Sequence, residues 1–259
     1  MKVRLKSGTI VNYLDHGADQ GDGHAVLLIH AFPLNHTMWQ PQTAHLSPRF
    51  RIIAPDVRGF GESLPPTPWT MMQMCEDLKE FVDVLDLDSY AVAGISMGGY
   101  IALPFTFWFP DKVRQLILAD TRARGDNEAE KQGRTEMMAT LVREGVQVLP
   151  QLMLPRLLRP DPSSEAVEFV TTIILENHPS AAMYALMAMR DRPDSTMTLE
   201  RINCPTLVIA GEYDAAREEC MEIAETLPEG TFVQIPRAGH LSNIDNPKAF
   251  NQALDEFLV

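Results

Sequence analysis

Ser96, Asp214 and His240 are the residues of this chain whose types and order could carry out chemistry together. A serine hydroxyl is a weak nucleophile at neutral pH. It needs a base to take its proton and a third group to hold that base in the right tautomer. Ser96 is the centre of Gly94-Ile95-Ser96-Met97-Gly98, directly after the apolar run Tyr90 to Ala93. Where a buried strand turns sharply into a helix, the residues two positions either side of the turn must be small, and Gly94 and Gly98 meet that need. The hydroxyl would then be exposed on a strained turn, with backbone N–H groups at the start of the next helix aimed at the same point. Asp214 closes Gly211-Glu212-Tyr213-Asp214, and His240 lies within Pro236-Arg237-Ala238-Gly239-His240-Leu241. Each follows an apolar run that reads as a strand.

These three residues can meet only if the strands before them lie side by side. Continuous apolar runs at Ala25 to His30, Arg51 to Pro55, Tyr90 to Ala93, Val113 to Ala119, Thr206 to Ala210 and Thr231 to Ile235 have the pattern of strands buried on both faces. Residues 2 to 6 and 9 to 14 read as two further strands around a turn at Ser7-Gly8. Helix-like stretches alternate with them at Thr37 to Leu46, Thr70 to Leu85, Met97 to Phe109, Ala215 to Leu227 and Pro247 to Leu258. That alternation predicts an α/β fold with a mostly parallel, doubly wound sheet. Open sheets of this kind bind ligands at the carboxyl ends of their strands, the edge where all three residues would emerge.

The alternation breaks once. Residues 121–203 contain no convincing strand, and prolines at 150, 155, 160, 162, 179 and 193 punctuate the segment into short helices. It reads as a helical cap inserted into a core made of residues 1–120 and 204–259. Core packing accounts for most of its methionines, with some available to line a cleft. The charged stretch Asn127 to Arg134 reads as a solvated helix face.

Five segments in fixed order now bear on one family: Leu28-Ile29-His30-Ala31-Phe32-Pro33-Leu34, Asp56-Val57-Arg58-Gly59-Phe60-Gly61-Glu62-Ser63, Gly94 to Gly99, Gly211 to Asp214, and Gly239-His240. With them the chain resembles the α/β-hydrolase superfamily, close to bacterial carboxylesterases, 3-oxoadipate enol-lactonase-like proteins and cofactor-free haloperoxidases or perhydrolases. The order serine, aspartate, histidine is that described for such hydrolases. The resemblance implies an oxyanion hole made by the backbone N–H groups of Phe32 and Met97. Two fixed donors in a site shielded from water stabilise a tetrahedral oxyanion, each by about 3 kcal/mol. It also makes Asp120, at another strand end, the reserve choice for the triad acid. Two departures stand out. Ala31 replaces the glycine often found in the first loop, and Pro104 falls inside the helix expected after Ser96, where it should bend or loosen that helix.

The remaining polar candidates read as structural. Asp56 suits a turn, His30 a histidine bonded to backbone, and His36, His45 and His178 surface or loop positions without a partner pattern. The aromatic group Phe105, Phe107, Trp108 and Phe109 reads as core filling. No histidine and carboxylate cluster has metal-ligand spacing, so no metal and no cofactor are expected.

Composition sets the outer bounds. The 259 residues are 45% hydrophobic and 22% charged, which suits an ordinary globular enzyme. A formal net charge of −13 disfavours binding to nucleic acid or to an anionic membrane surface. Three widely spaced cysteines, with no basic segment leading into an apolar block at the amino terminus, fit a reducing cytoplasm. The partner expected is a small-molecule ester or lactone, and assembly into a homo-oligomer is left open. The reading is a serine hydrolase acting through an acyl-serine. A perhydrolase or haloperoxidase using the same residues, and a non-catalytic ligand receptor of the same fold, are the alternatives. Dehalogenases and epoxide hydrolases are disfavoured, because they carry a carboxylate where this chain has Ser96.

Overall fold

The computed structural model of the protein describes residues 1–17 and 25–258. Its strands are β1 (Lys2–Arg4), β2 (Ile10–Gly17), β3 (Ala25–Ile29), β4 (Arg51–Pro55), β5 (Tyr90–Ile95), β6 (Val113–Ala119), β7 (Thr206–Gly211) and β8 (Gly230–Ile235). They form one sheet in the order β1-β2-β4-β3-β5-β6-β7-β8. β2 runs antiparallel to both β1 and β4, and every pairing from β4 across to β8 is parallel. This is the α/β-hydrolase fold. Every residue of β3, β5 and β7 is buried, as a sheet covered on both faces requires. Leu27, Ile53, Val92, Ile117 and Val208 are wholly shielded from solvent, each contributing about 1.5–3 kcal/mol by burial.

The helices are α1 (Gln40–Leu46), α2 (Met71–Val84), α3 (Met97–Trp108), α4 (Glu128–Glu144), α5 (Leu149–Leu157), α6 (Ser164–Leu175), α7 (Pro179–Arg190), α8 (Arg217–Thr226), α9 (Ser242–Asp245) and α10 (Pro247–Phe257). Local chemistry sets where they start. Thr70 with Gln73, and Asn127 with Glu130, form reciprocal capping boxes that satisfy the first N–H groups of α2 and α4. A proline stands in the first turn of α1, α5, α7 and α10, where its missing N–H costs nothing. α3 continues through Pro104 to Trp108, so the proline removes one internal bond without ending the helix.

Among the described residues, β6 and β7 are separated by four α-helices, α4 to α7, two short 3-10 helices and no strand. α4 packs against α7 and α5 against α6. The aromatic group on α3 divides: Phe105 is fully buried, while Trp108 is 57% exposed and fills no core. Trp108 is the last residue of α3 and is exposed there although the residues one turn earlier, Phe105 and Pro104, are buried and half-buried. No helix of the described residues is long and apolar enough to cross a membrane.

Candidate active site

Each of the three residues read from the sequence leaves the sheet at the carboxyl edge of a different strand. Ser96 follows β5, Asp214 lies three residues past β7, and His240 lies five past β8. Ser96 has φ 54°, a left-handed conformation that is strained for a non-glycine residue. The surroundings impose it. Its N–H donates to the Ala119 carbonyl at 2.9 Å, and its carbonyl accepts from the Thr121 hydroxyl at 2.8 Å. A Cβ on Gly98 would overlap the Ile29 carbonyl oxygen, and one on Gly94 would overlap the Gly98 backbone. Only glycine lets α3 start this close to β3 and β5.

The structure brings the three side chains together. Ser96 Oγ lies 2.8 Å from His240 Nε2, and His240 Nδ1 lies 2.8 Å from Asp214 Oδ1. A neutral imidazole donating Nδ1–H to Asp214 leaves Nε2 to accept the serine proton. Burial opposes the charged ring, yet the Asp214 charge and hydrogen bond outweigh it and hold His240 above the ordinary value of 6.5. In turn, the His240 charge overcomes the cost of burying Asp214 and holds its carboxyl below the usual value. Such an arrangement can remove a proton from the hydroxyl as it attacks and return it to a leaving group.

Two backbone donors are expected beside Ser96, and Phe32 lines the same cavity as that serine. Among the described residues, neither the Phe32 N–H nor the Met97 N–H has a hydrogen-bond acceptor. Phe32 sits in the turn closed by Leu34 N–H donating to the Ala31 carbonyl at 2.9 Å, and Met97 is the first residue of α3. The contact between Gly98 and Ile29 fixes the distance between these two elements.

The hydrogen bonds of Asp120 go to Gly211 and Ser242, whereas His240 is bonded to Asp214. Asp120 is fully buried beneath the site, where it accepts from the Gly211 N–H at 2.8 Å and from both the N–H and the hydroxyl of Ser242. Burial and the nearby Asp214 charge push its carboxyl well above the usual range. The turn that carries His240 is held from the helical side too. Leu241 N–H donates to the Leu157 carbonyl at 2.8 Å, and Asp245 Oδ2 accepts from Gly239 N–H at 2.8 Å and Arg159 N–H at 2.7 Å.

Other polar residues find structural partners. His30 is fully buried, with Nδ1 2.9 Å from the Ala31 carbonyl and Nε2 accepting from Val57 N–H at 2.9 Å, so it is bonded to backbone as its position suggests. His36 and His45, which showed no partner pattern in the sequence, pair with Asp56 at 2.7 Å and Asp255 at 2.8 Å. His178 accepts from Ser180 N–H and caps α7. Asp56 also accepts from His36 N–H and from Asn12, which makes it the knot of its loop.

Above Ser96 lies a cavity of about 610 Å³. Tyr100, Met153 and Met189 give it apolar walls, and Arg122, Arg134 and Arg156 give it charge. Sequence reasoning missed these arginines. Arg134 in particular belongs to a stretch that reads as solvated, yet it reaches Asp126 and the Met189 sulfur. Arg122 alone carried a signal, since it stands just beyond the carboxyl end of β6.

A family model described as alpha/beta hydrolase fold matches residues 24–154. The chain is 30% identical over 253 residues to 3-oxoadipate enol-lactonase 2 of Acinetobacter baylyi, covering 95% of this chain and 91% of that protein. It superposes on a thermophilic esterase from Thermogutta terrifontis, solved with malate bound, with a TM-score of 0.93 and 38% identity over 100% of this chain and 98% of that one. An enol-lactonase from Burkholderia xenovorans superposes with a TM-score of 0.89 and 25% identity, covering 100% of this chain and 99% of the other.

Proposed function

The chain belongs to the alpha/beta hydrolase family, and from that premise we propose that it cleaves carboxylic esters or lactones through an acyl-serine formed on Ser96. The observation that carries this reading is the unbroken chain of contacts from Asp214 Oδ1 through His240 to Ser96 Oγ, 2.8 Å at each link, opening into a cavity.

In this mechanism Ser96 Oγ attacks the substrate carbonyl carbon while His240 Nε2 takes the hydroxyl proton. Asp214 keeps the ring in the competent tautomer and stabilises the imidazolium that forms. The carbonyl oxygen becomes an oxyanion, held by the N–H groups of Phe32 and Met97. Collapse of the tetrahedral intermediate breaks the bond to the alcohol oxygen, which leaves with the proton that His240 returns. Water then attacks the acyl-serine, His240 takes its proton, and a second collapse frees the acid and restores Ser96 Oγ–H. A lactone follows the same course, with the alcohol still tethered to the acyl group. Side chains, backbone and water handle every proton in the cycle. Residues 121–203 act as the cap that roofs this chemistry and shapes the acyl and alcohol subsites.

A fluorophosphonate probe tests the reading, because it phosphonylates only an activated serine. Mass spectrometry is expected to find the label on Ser96 of the folded protein, and esters of small acids to be hydrolysed. Folded protein whose Ser96 stays unlabelled would favour a ligand-binding role in place of catalysis.

A further inference from the structure

We propose that the cavity above Ser96 selects an ester or lactone bearing a free carboxylate, which Arg156 and Arg122 recognise with Arg134 beside them. This inference rests on the Ser96 hydrolase reading and specifies its substrate class.

The charge in the cavity runs against the charge of the chain. The protein carries a formal net charge of −13, yet three guanidinium groups line the space over the nucleophile. Among the described residues that line it the one acid is Asp214, already bonded to His240. The three cations come from separate elements: Arg122 from the segment after β6, Arg134 from α4 and Arg156 from α5. Three independent elements deliver cations to one apolar-walled space, which sets it apart from a charged helix face.

The surrounding ion network does not neutralise them. Arg122 and Arg124 share Glu219, Arg124 also binds Glu130, and Arg134 and Arg192 share Asp126. Four guanidinium groups therefore face three carboxylates. Arg156 adds a fifth, with no ion pair or hydrogen bond to any described residue. The cavity thus keeps a positive surplus next to Met153 and Met189, side chains that cannot screen it. An anion entering there gains charge-assisted hydrogen bonds in a partly desolvated site. A planar guanidinium matches a carboxylate in shape, offering two parallel N–H donors to its two oxygens. With the scissile carbonyl on Ser96 Oγ, a substrate that fills the cavity places its far end against these residues.

The test compares two matched pairs of esters. Phenyl hydrogen succinate against phenyl methyl succinate puts the charge on the acyl side, and para-carboxyphenyl acetate against its methyl ester puts it on the leaving side. In at least one pair the charged member is expected to have the higher kcat/KM, by about tenfold or more. Arg156→Gln should reduce that ratio by roughly tenfold, and Arg156→Lys, which keeps the charge, should retain more of it than the glutamine variant. Arg156 is exposed and unpaired, so these variants leave the core untouched. Ratios near one in both wild-type pairs, or a ratio unmoved in Arg156→Gln, overturn the proposal. Fluorophosphonate labelling of the same samples separates the two failures. Label on Ser96 without charge preference overturns the substrate class alone, whereas absence of both label and turnover overturns the hydrolase reading and this proposal with it.

Discussion

Asp120 holds Ser242: its Oδ2 accepts from both the N–H and the hydroxyl of that serine, two residues beyond His240. Its other oxygen accepts from Gly211, three residues before Asp214. One buried carboxylate therefore ties together the two loops that must meet. Asp120→Asn presents an amide N–H₂ to one of these donors and leaves a buried N–H unsatisfied, at a cost of about 1–3 kcal/mol. Ester turnover is expected to fall about tenfold, with a lowered Tm, as the His240 and Asp214 loops lose their common anchor. Wild-type kcat and Tm in this variant would remove Asp120 from its positioning role.

The pH profile reports on His240. The ring must be neutral to accept the serine proton, and Asp214 holds it above 6.5 despite burial. Protonation at low pH therefore switches the base off, and kcat/KM should rise with pH with its half-point above 6.5. Asp214→Asn deletes the charge and leaves the burial. The half-point should then move to lower pH, and kcat should drop by roughly 10⁴-fold because the tautomer is no longer enforced. A wild-type half-point below 6.5, or one that stays put in Asp214→Asn, contradicts this account.

Gly98 lets the start of α3 pack against the Ile29 carbonyl, just before the loop that carries Phe32. In Gly98→Ala the new Cβ meets the Ile29 carbonyl, backbone that has no rotamer to yield. The expected result is a loss of about 2 kcal/mol or more in urea unfolding and about 10²-fold in ester hydrolysis, as the Phe32 and Met97 N–H groups move apart. An alanine variant with full activity would show that this spacing does not matter to the chemistry.

His30 should set an acid limit to stability. Burial lowers its pKa to about 4, outweighing the Asp56 charge and the hydrogen bond to the Ala31 carbonyl, both of which favour the charged ring. Below pH 6.5 the unfolded chain takes up a proton that the native ring refuses. Stability is thus fully present above that pH and falls by up to about 1.4 kcal/mol per unit down to pH 4, roughly 3 kcal/mol in all. His30→Gln keeps one donor and one acceptor without titrating. Urea unfolding of both proteins between pH 7 and pH 4.5 should give a shallower slope for the variant, and equal slopes would show that His30 is not the group responsible.

The parts of this site that could be read from the sequence are those tied to parallel strands. Buried strands such as Ala25–Ile29 and Tyr90–Ile95 announce themselves as unbroken apolar runs, and the residues that follow them must emerge at one edge. Ser96, Asp214 and His240 were legible for that reason. Arg134 and Arg156 were not, since their placement depends on how α4 packs against α7 and α5 against α6, and no local pattern encodes that. The His36 and Asp56 pair joins two loops 20 residues apart and likewise leaves no periodic trace. Trp108 misleads in the opposite direction: apolar neighbours suggest a core position, while the last turn of α3 turns it to solvent.

The bond from Leu241 to Leu157 couples the histidine turn to the final residue of α5, one position beyond Arg156. Any outward displacement of that helix would have to stretch this link and the paired grip of Asp245 on Gly239 and Arg159. One wall of the cavity and the turn that presents the imidazole are thus mechanically one piece, so a substitution that loosens the end of α5 is felt at His240 as well.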